Sequence, residues 1–224
     1  MSEYMKIVIS GYGKMGHCVE AVLRRRGIAL AAASEDVCSL PEEVTSGAVC
    51  IDFTTPDAFK ANYPFLAERF AAVVVGTTGW YDIKEQVFAE FERRGTTLVW
   101  ASNFSIGVNA FFAAVERACT VLKGHGYTPK VEETHHIHKL DAPSGTAKTV
   151  GGIVADTLGE EPEIISHRIG EVPGIHTVEL TSGVDRLTLT HEAFSREGFA
   201  EGAVAAALMT DGLQGVHEFK DLIL

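Results

Sequence analysis

Residues 6–16 read KIVISGYGKMG, and these positions decide the fold. Lys6–Ser10 is a short β-branched run, the mark of a buried strand. Glycines at 11, 13 and 16 follow at once. From Lys14 to Arg26 the apolar residues Met15, Val19, Val22 and Leu23 recur at helical spacing. Strand, glycine turn and helix in that order are the context in which G-x-G-x-x-G binds a dinucleotide. The first glycine permits the tight turn, the second lets backbone approach the pyrophosphate, and the third allows close helix–strand packing. The helix N-terminus then directs partial positive charge at the phosphates.

The same grammar continues outward. Arg24–Arg26 occupy the last turn of that helix, where cations are favoured, and Gly27 suits its C-terminal exit. The triple arginine therefore reads as a solvated helix end, not a nucleic-acid patch. Ile28–Ala33, Ala48–Phe53, Ala71–Val75 and Thr96–Ala101 read as strands. Thr55-Pro56 opens a helix to Arg69, and GTTGW leads into a second that ends near Gly95. Alternating apolar strands and amphipathic helices predict an α/β fold with a Rossmann-type, doubly wound parallel sheet. Ligands sit at the carboxyl ends of such strands. Gly76-Thr77-Thr78-Gly79 and Ala101-Ser102-Asn103-Phe104-Ser105 should therefore line a nucleotide cleft. Glu35 follows the second strand, where an acid binds the ribose 2′-OH. No arginine adjoins it and Asp36 would repel a 2′-phosphate, so NADH is favoured over NADPH.

After Asn103 the pattern changes. Val108–Lys123 reads as one long helix, Lys130–His138 as extended, and Ala147–Leu158 as helical. Ile164–Arg168, His176–Leu180 and Leu187–His191 read as strands without regular helices between them, which suits a mixed sheet. Phe199–Met209 closes as an Ala-rich helix. The expectation is a dinucleotide-binding domain over 1–104, joined by 195–224. A smaller α+β domain over 105–194 would bind substrate and form the oligomer.

The chain has 224 residues and a net charge of −11, which disfavours nucleic acid and anionic membranes. No apolar run reaches membrane-spanning length. MSEYMKIVISG lacks the pattern of a signal peptide, and residues before Lys6 read as an irregular lead-in. Cys18, Cys38, Cys50 and Cys119 are scattered, so reduced, mostly buried thiols in a cytoplasmic protein are expected. No internal repeat or low-complexity linker is visible.

Residues 132–146 read EETHHIHKLDAPSGT. On a strand, His136 and His138 would share a face; zinc needs at least one more ligand, for which Glu132, Asp141 or a distant histidine could serve, but no H-E-x-x-H or paired-Cys pattern supports it. A hydrogen-bonded polar loop is the plain alternative. Clustered cations, however, call for an anion nearby, from a cofactor phosphate or a substrate carboxylate. Pro143-Ser144-Gly145-Thr146 opens the next helix with free N–H groups and hydroxyls, an anion site. With Lys139 and a histidine proton donor, this fits reduction of a small carboxylated substrate.

The segment EETHHIHKLDAPSGTAK closely resembles the catalytic motif of the dihydrodipicolinate reductase family, E-x-H-H-x-H-K-x-D-A-P-S-G-T-A. GYGKMG, IDFTTPDA, VVVGTTGW, ASNFSIGVN and SREGFAEGAVAAAL resemble its other motifs, so the resemblance spans nearly the whole chain. It implies NADH- or NADPH-dependent reduction of a cyclic hydroxy-imine dicarboxylate in lysine and diaminopimelate biosynthesis, by a homotetramer and without a metal. It implies His135 as general acid with Lys139 as its partner. His136, Ser144, Gly145 and Thr146 become substrate contacts. Gly11, Tyr12, Gly13, Lys14, Met15 and Gly16 become the phosphate loop, and Glu35 the ribose acid. Gly76, Thr77, Thr78 and Ala101, Ser102, Asn103, Phe104 become nicotinamide-side contacts, and Arg196 falls near the hinge. Two departures stand out. Glu35–Gly47 is a short crossover with room for about one helical turn, and Ile137 stands where the family motif often carries arginine. Another amino-acid-pathway dehydrogenase with an aspartate-like substrate, a dinucleotide sensor and a metal hydrolase are the competing readings.

Overall fold

The computed structural model describes residues 5–224; the lead-in expected before Lys6 falls mostly outside the described residues. The chain divides into two compact units. The first runs to Ser105 and resumes over Glu197–Leu224; the second is Ile106–Arg196.

The first unit is built on β1 (Ile7–Ser10), β2 (Leu30–Ser34), β3 (Val49–Asp52), β4 (Ala72–Val75), β5 (Thr97–Trp100) and β10 (Val216–Glu218). Their order is β10-β5-β4-β3-β1-β2, and every neighbouring pair is parallel. Alternate residues feed two cores. Ile7, Ile9, Ile51, Val74 and Val99 face α1 (Lys14–Arg26) and α7 (Glu197–Met209). Val8, Cys50, Val73, Val75 and Leu98 face α3 (Pro56–Arg69) and α4 (Lys84–Arg94). With helices on both faces, the strands are buried throughout, which is why they read as continuous apolar runs. Each fully buried Val, Leu or Phe contributes roughly 1.5–3 kcal/mol.

Thr55 caps α3 as expected, its hydroxyl accepting from the Ala58 N–H at 3.2 Å with Pro56 in the first turn. The short Glu35–Gly47 crossover holds a single turn over Val37–Ser39 and α2 (Glu42–Thr45). Three details differ from the sequence reading. Strand β2 starts at Leu30, because the left-handed Gly27 exit bonds Ile28 N–H back to the Leu23 carbonyl at 2.9 Å. The arginines at the end of α1 are not merely solvated. Arg25 pairs with Glu197 and Glu201, and Arg26 with Glu201, tying α1 to the returning helix α7. Strand β10 and α8 (Phe219–Ile223) were not foreseen; at three and five residues they carry too little periodicity to see.

The second unit has a mixed sheet in the order β7-β6-β8-β9, from β6 (Thr128–His135), β7 (Glu163–Arg168), β8 (Gly174–Thr181) and β9 (Arg186–Ala193). Strand β6 pairs parallel with β7 and antiparallel with β8, and β8 antiparallel with β9. One face packs on α5 (Ile106–Leu122) and α6 (Gly145–Leu158) through Val115, Cys119, Val131, Val150, Val154, Val178 and Leu180. All four cysteines are free; Cys50 and Cys119 are buried, Cys18 is half-buried and Cys38 exposed.

Candidate active site

In the first unit, the glycine loop has the geometry its spacing demands. Gly11 has φ +87°, and a Cβ there would fall 2.3 Å from the Phe53 carbonyl oxygen. A Cβ on Gly16 would fall 2.3 Å from the Gly11 carbonyl oxygen, so α1 closes on the loop only through glycine. Around the Cβ position of Gly13 there is open space. Gly13 also caps α1 without a side-chain hydrogen bond, leaving the first-turn N–H groups to a ligand. Beside it lies a cleft of about 340 Å³ lined by Gly13, Lys14, Met15, Gly76, Thr77 and Thr78, and by Phe53, Thr54 and Pro56. The last three escaped the site reading, although they lie at a strand end of the predicted kind. A tight first glycine, a close-packed third and an open second fit a dinucleotide pyrophosphate.

Other cofactor candidates stand differently. Tyr12 donates its hydroxyl hydrogen bond to Glu20 and packs on His17 at 4.1 Å between ring centroids. Glu35 is exposed just past β2. The Ala101 and Phe104 side chains are buried in the core, so they offer only backbone to a ligand. Ser102 is exposed, and the Asn103 side-chain oxygen accepts from the Ser105 N–H at 2.8 Å. Beneath the cleft, the buried Asp52 carboxylate accepts from Ser10 Oγ at 2.7 Å, Thr77 Oγ1 at 2.6 Å and Thr54 Oγ1 at 3.1 Å. Burial pushes its pKa up against those hydrogen bonds.

In the second unit, strand alternation builds the polar cluster. Pro129, Val131, Glu133 and His135 share the buried face of β6; Gly174, His176, Val178 and Leu180 share that of β8. The face is apolar along its length and turns polar at one end. Register sets Glu133 opposite His176 and Ser166, and His135 opposite Arg168. The Glu133 carboxylate accepts from Ser144 N–H at 3.1 Å, Ser166 Oγ at 2.8 Å and Arg168 Nη2 at 3.0 Å. It lies 3.3 Å from His135 Nδ1 and 3.8 Å from His176 Nε2. Against the cost of burial, these donors hold its pKa down at about 2. Burial lowers the pKa of His135, opposed by the Glu133 charge; burial and the neighbouring His135 push His176 down to about 4.

Strand β6 ends at His135, earlier than the sequence suggested, so His136 and His138 share no strand face, although their ring centroids lie 6.0 Å apart. Lys139 N–H bonds to the His136 carbonyl at 3.1 Å and closes a turn. His138 instead meets Glu171 at 3.1 Å on the surface. Donor atoms of Glu133, His135 and His176 do converge within 4.8 Å. The Arg168 cation and the Ser144 and Ser166 donors already occupy most of the carboxylate's acceptor positions. The anion that the cations call for is partly internal: Lys139 Nζ sits 2.9 Å from Asp141. Arg168 also holds the loop itself, donating to the Lys139 carbonyl at 3.2 Å and the Asp141 carbonyl at 2.5 Å. Ser144 caps α6, its hydroxyl accepting from Ala147 N–H at 3.1 Å; Gly145 is exposed and Thr146 half-buried in the first turn. Ile137 is 59 % exposed.

The sequence reading missed Glu133, Arg168 and His176. Their signal was period-two alternation, which puts Glu133 on the face of His135 and His176 on the face of Val178.

A glycine loop and open cleft on a doubly wound sheet mark the first unit as a dinucleotide-binding unit. Residues 5–104 match the family model described as dihydrodipicolinate reductase, N-terminus, and residues 107–223 match its C-terminus counterpart. A 4-hydroxy-tetrahydrodipicolinate reductase from Christiangramia forsetii is 34 % identical, covering 98 % of this chain and 98 % of that protein. Another of that name from Xanthomonas euvesicatoria is 40 % identical over 79 % of this chain and 73 % of that protein. In solved structures, the dipicolinate-bound dihydrodipicolinate reductase from Paenisporosarcina sp. TG-14 superposes with a TM-score of 0.79. It is 20 % identical and covers 98 % of this chain and 99 % of that one. The chain belongs to the dihydrodipicolinate reductase family.

Proposed function

We propose that the chain reduces 4-hydroxy-tetrahydrodipicolinate to tetrahydrodipicolinate with a reduced nicotinamide nucleotide, a step of lysine and diaminopimelate biosynthesis. The observation that carries the proposal is the polar end of the second unit's sheet. It holds a buried imidazole, an ammonium and an uncrowded helix N-terminus within one short segment. Dipicolinate, bound by the solved relative, is a planar dicarboxylate.

Gly13 and the first-turn amides of α1 would hold the pyrophosphate, with Lys14 and Met15 beside it and Gly76, Thr77 and Thr78 along the cleft. The Ala101–Phe104 turn would offer backbone to the nicotinamide. When bound, the reduced nicotinamide supplies a hydride. Ser144, Gly145 and Thr146 at the start of α6 would receive one substrate carboxylate, and Lys139 with His136 the other; Lys139 exchanges Asp141 for the substrate anion. Hydride addition leaves an electron pair on the substrate that must take a proton. His135 supplies it as imidazolium, with Lys139 lending charge to the developing anion.

Exposed Glu35 and Asp36 at the end of β2 support NADH over NADPH. No described helix is long and apolar enough to cross a membrane. We further propose a cytoplasmic homotetramer, supported by the unpaired edge and largely exposed strand β9. The test is a coupled assay. Condense pyruvate with aspartate semialdehyde in situ, add the protein, and follow NADH and NADPH oxidation in parallel. Oxidation with a higher kcat/KM for NADH is expected. A flat trace with both removes the reaction, and a clear preference for NADPH removes the reading of Glu35.

A further inference from the structure

We infer that Glu133 is the positioning residue of the second unit: its buried carboxylate holds the His135 imidazole and the start of α6 as one rigid piece. The inference rests on the proposed roles of His135 and of the Ser144–Thr146 turn.

The geometry is that of a hub. The Glu133 side chain is fully buried. Its oxygens receive the Ser144 N–H, at 3.1 and 3.2 Å, the Ser166 hydroxyl at 2.8 Å and the Arg168 guanidinium at 3.0 Å. A carboxylate offers about four acceptor positions. Three donors are thus in place on neighbouring elements, and the remaining direction points to His135 Nδ1 at 3.3 Å. That nitrogen is buried without an aligned hydrogen-bond partner. The Nδ1 edge thus meets the carboxylate at ion-pair distance without an aligned hydrogen bond, and Nε2 is the atom left to work. A Cβ on Gly174 would fall 3.1 Å from Nε2, so the glycine keeps that edge uncrowded.

Three strands and a helix meet at this one group. Glu133 and His135 come from β6, Ser166 and Arg168 from β7, His176 from β8, and Ser144 from the cap of α6. Arg168 extends the hub to the Lys139 and Asp141 carbonyls. Displacing the carboxylate would therefore move the proton donor and the carboxylate cradle together. The charges around His135 are Glu133, Lys139, Arg168 and Asp141, with His176 packed edge-on at 5.0 Å between ring centroids. Burial, Lys139 and Arg168 all disfavour the imidazolium; Glu133 is the largest influence in the other direction. Removing its charge without changing its shape should lower the His135 pKa further.

The test pairs activity with a readout that does not need it. In Glu133→Gln, the His135 titration, followed by NMR of ring-labelled histidine and assigned by its loss in His135→Ala, should fall by about one pH unit. The alkaline limb of kcat should move down with it, lowering kcat at pH 7.5 by roughly tenfold, with NADH affinity unchanged. Glu133→Asp keeps the charge, and should keep the His135 titration near wild type while KM rises because α6 is no longer held. If Glu133→Gln does not fold, Glu133→Asp decides: wild-type kcat and KM would overturn the inference. In a folded Glu133→Gln protein, an unmoved His135 titration and an unmoved pH limb would overturn it too. If the wild-type chain gives no turnover yet the NMR shift appears, the reductase reading fails and the positioning role stands.

Discussion

At the residue scale, the second unit works by placing ionisable groups where strand alternation would normally place apolar ones. Glu133 and His135 occupy inward positions of β6 in series with Val131. A lone buried carboxylate would cost several kcal/mol, and here Arg168 and two hydrogen-bond donors offset it. Room for the imidazole comes from a residue with no side chain: a Cβ on Gly174 would lie 3.1 Å from His135 Nε2. Gly174→Ala should therefore push the ring by a few tenths of an ångström and cover its free edge. We expect kcat to fall by roughly tenfold or more with NADH affinity unchanged, measured by steady-state kinetics and nucleotide fluorescence titration. Unaltered kcat would remove Nε2 from the chemistry. The sequence made His135, Lys139 and the Ser-Gly-Thr turn legible because they are contiguous. Arg168 and His176 were hidden because only sheet register brings them to Glu133.

At the element scale, most of the first unit was legible. Strands buried on both faces and helices with clear caps leave strong local patterns, and Thr55-Pro56 and Gly95 act where the sequence put them. What was not legible were contacts between distant segments. The triple arginine reads locally as a solvated helix end, yet Arg25 and Arg26 are bound by Glu197 and Glu201, some 170 residues on. The return helix α7 is Ala-rich for a reason invisible in one dimension. At Gly202 a Cβ would fall 1.6 Å from the Phe104 carbonyl oxygen, so the helix runs directly against the turn after β5. Gly202→Ala must displace that backbone. We expect it to lower stability by about 3 kcal/mol or more, seen as a reduced thermal midpoint, or to abolish soluble expression. A midpoint within a degree of wild type would refute the close approach.

At the scale of the whole molecule, the buried ionisable groups tie stability to pH. His176 is held near 4 in the fold against an ordinary value of 6.5, so the unfolded chain binds its proton first. Its contribution is complete above pH 6.5 and is lost as pH falls through about 4. Glu133, held at about 2 against 4.5, is complete above 4.5 and is lost as pH falls towards 2. Both act in the same sense, so the thermal midpoint should drop steadily between pH 7 and pH 4. His176→Gln should flatten the upper part of that drop, and a midpoint independent of pH over this range would contradict the assignment.

The central proposal is that the His135 imidazole and the Lys139 ammonium serve the reduction as proton donor and cation. Turnover of His135→Ala and Lys139→Ala, with NADH affinity measured alongside, tests it most directly. Each variant should bind NADH as the wild type does and turn over slower by roughly two decades or more, the scale of one lost acid–base group. Near-wild-type turnover in both variants would contradict the account.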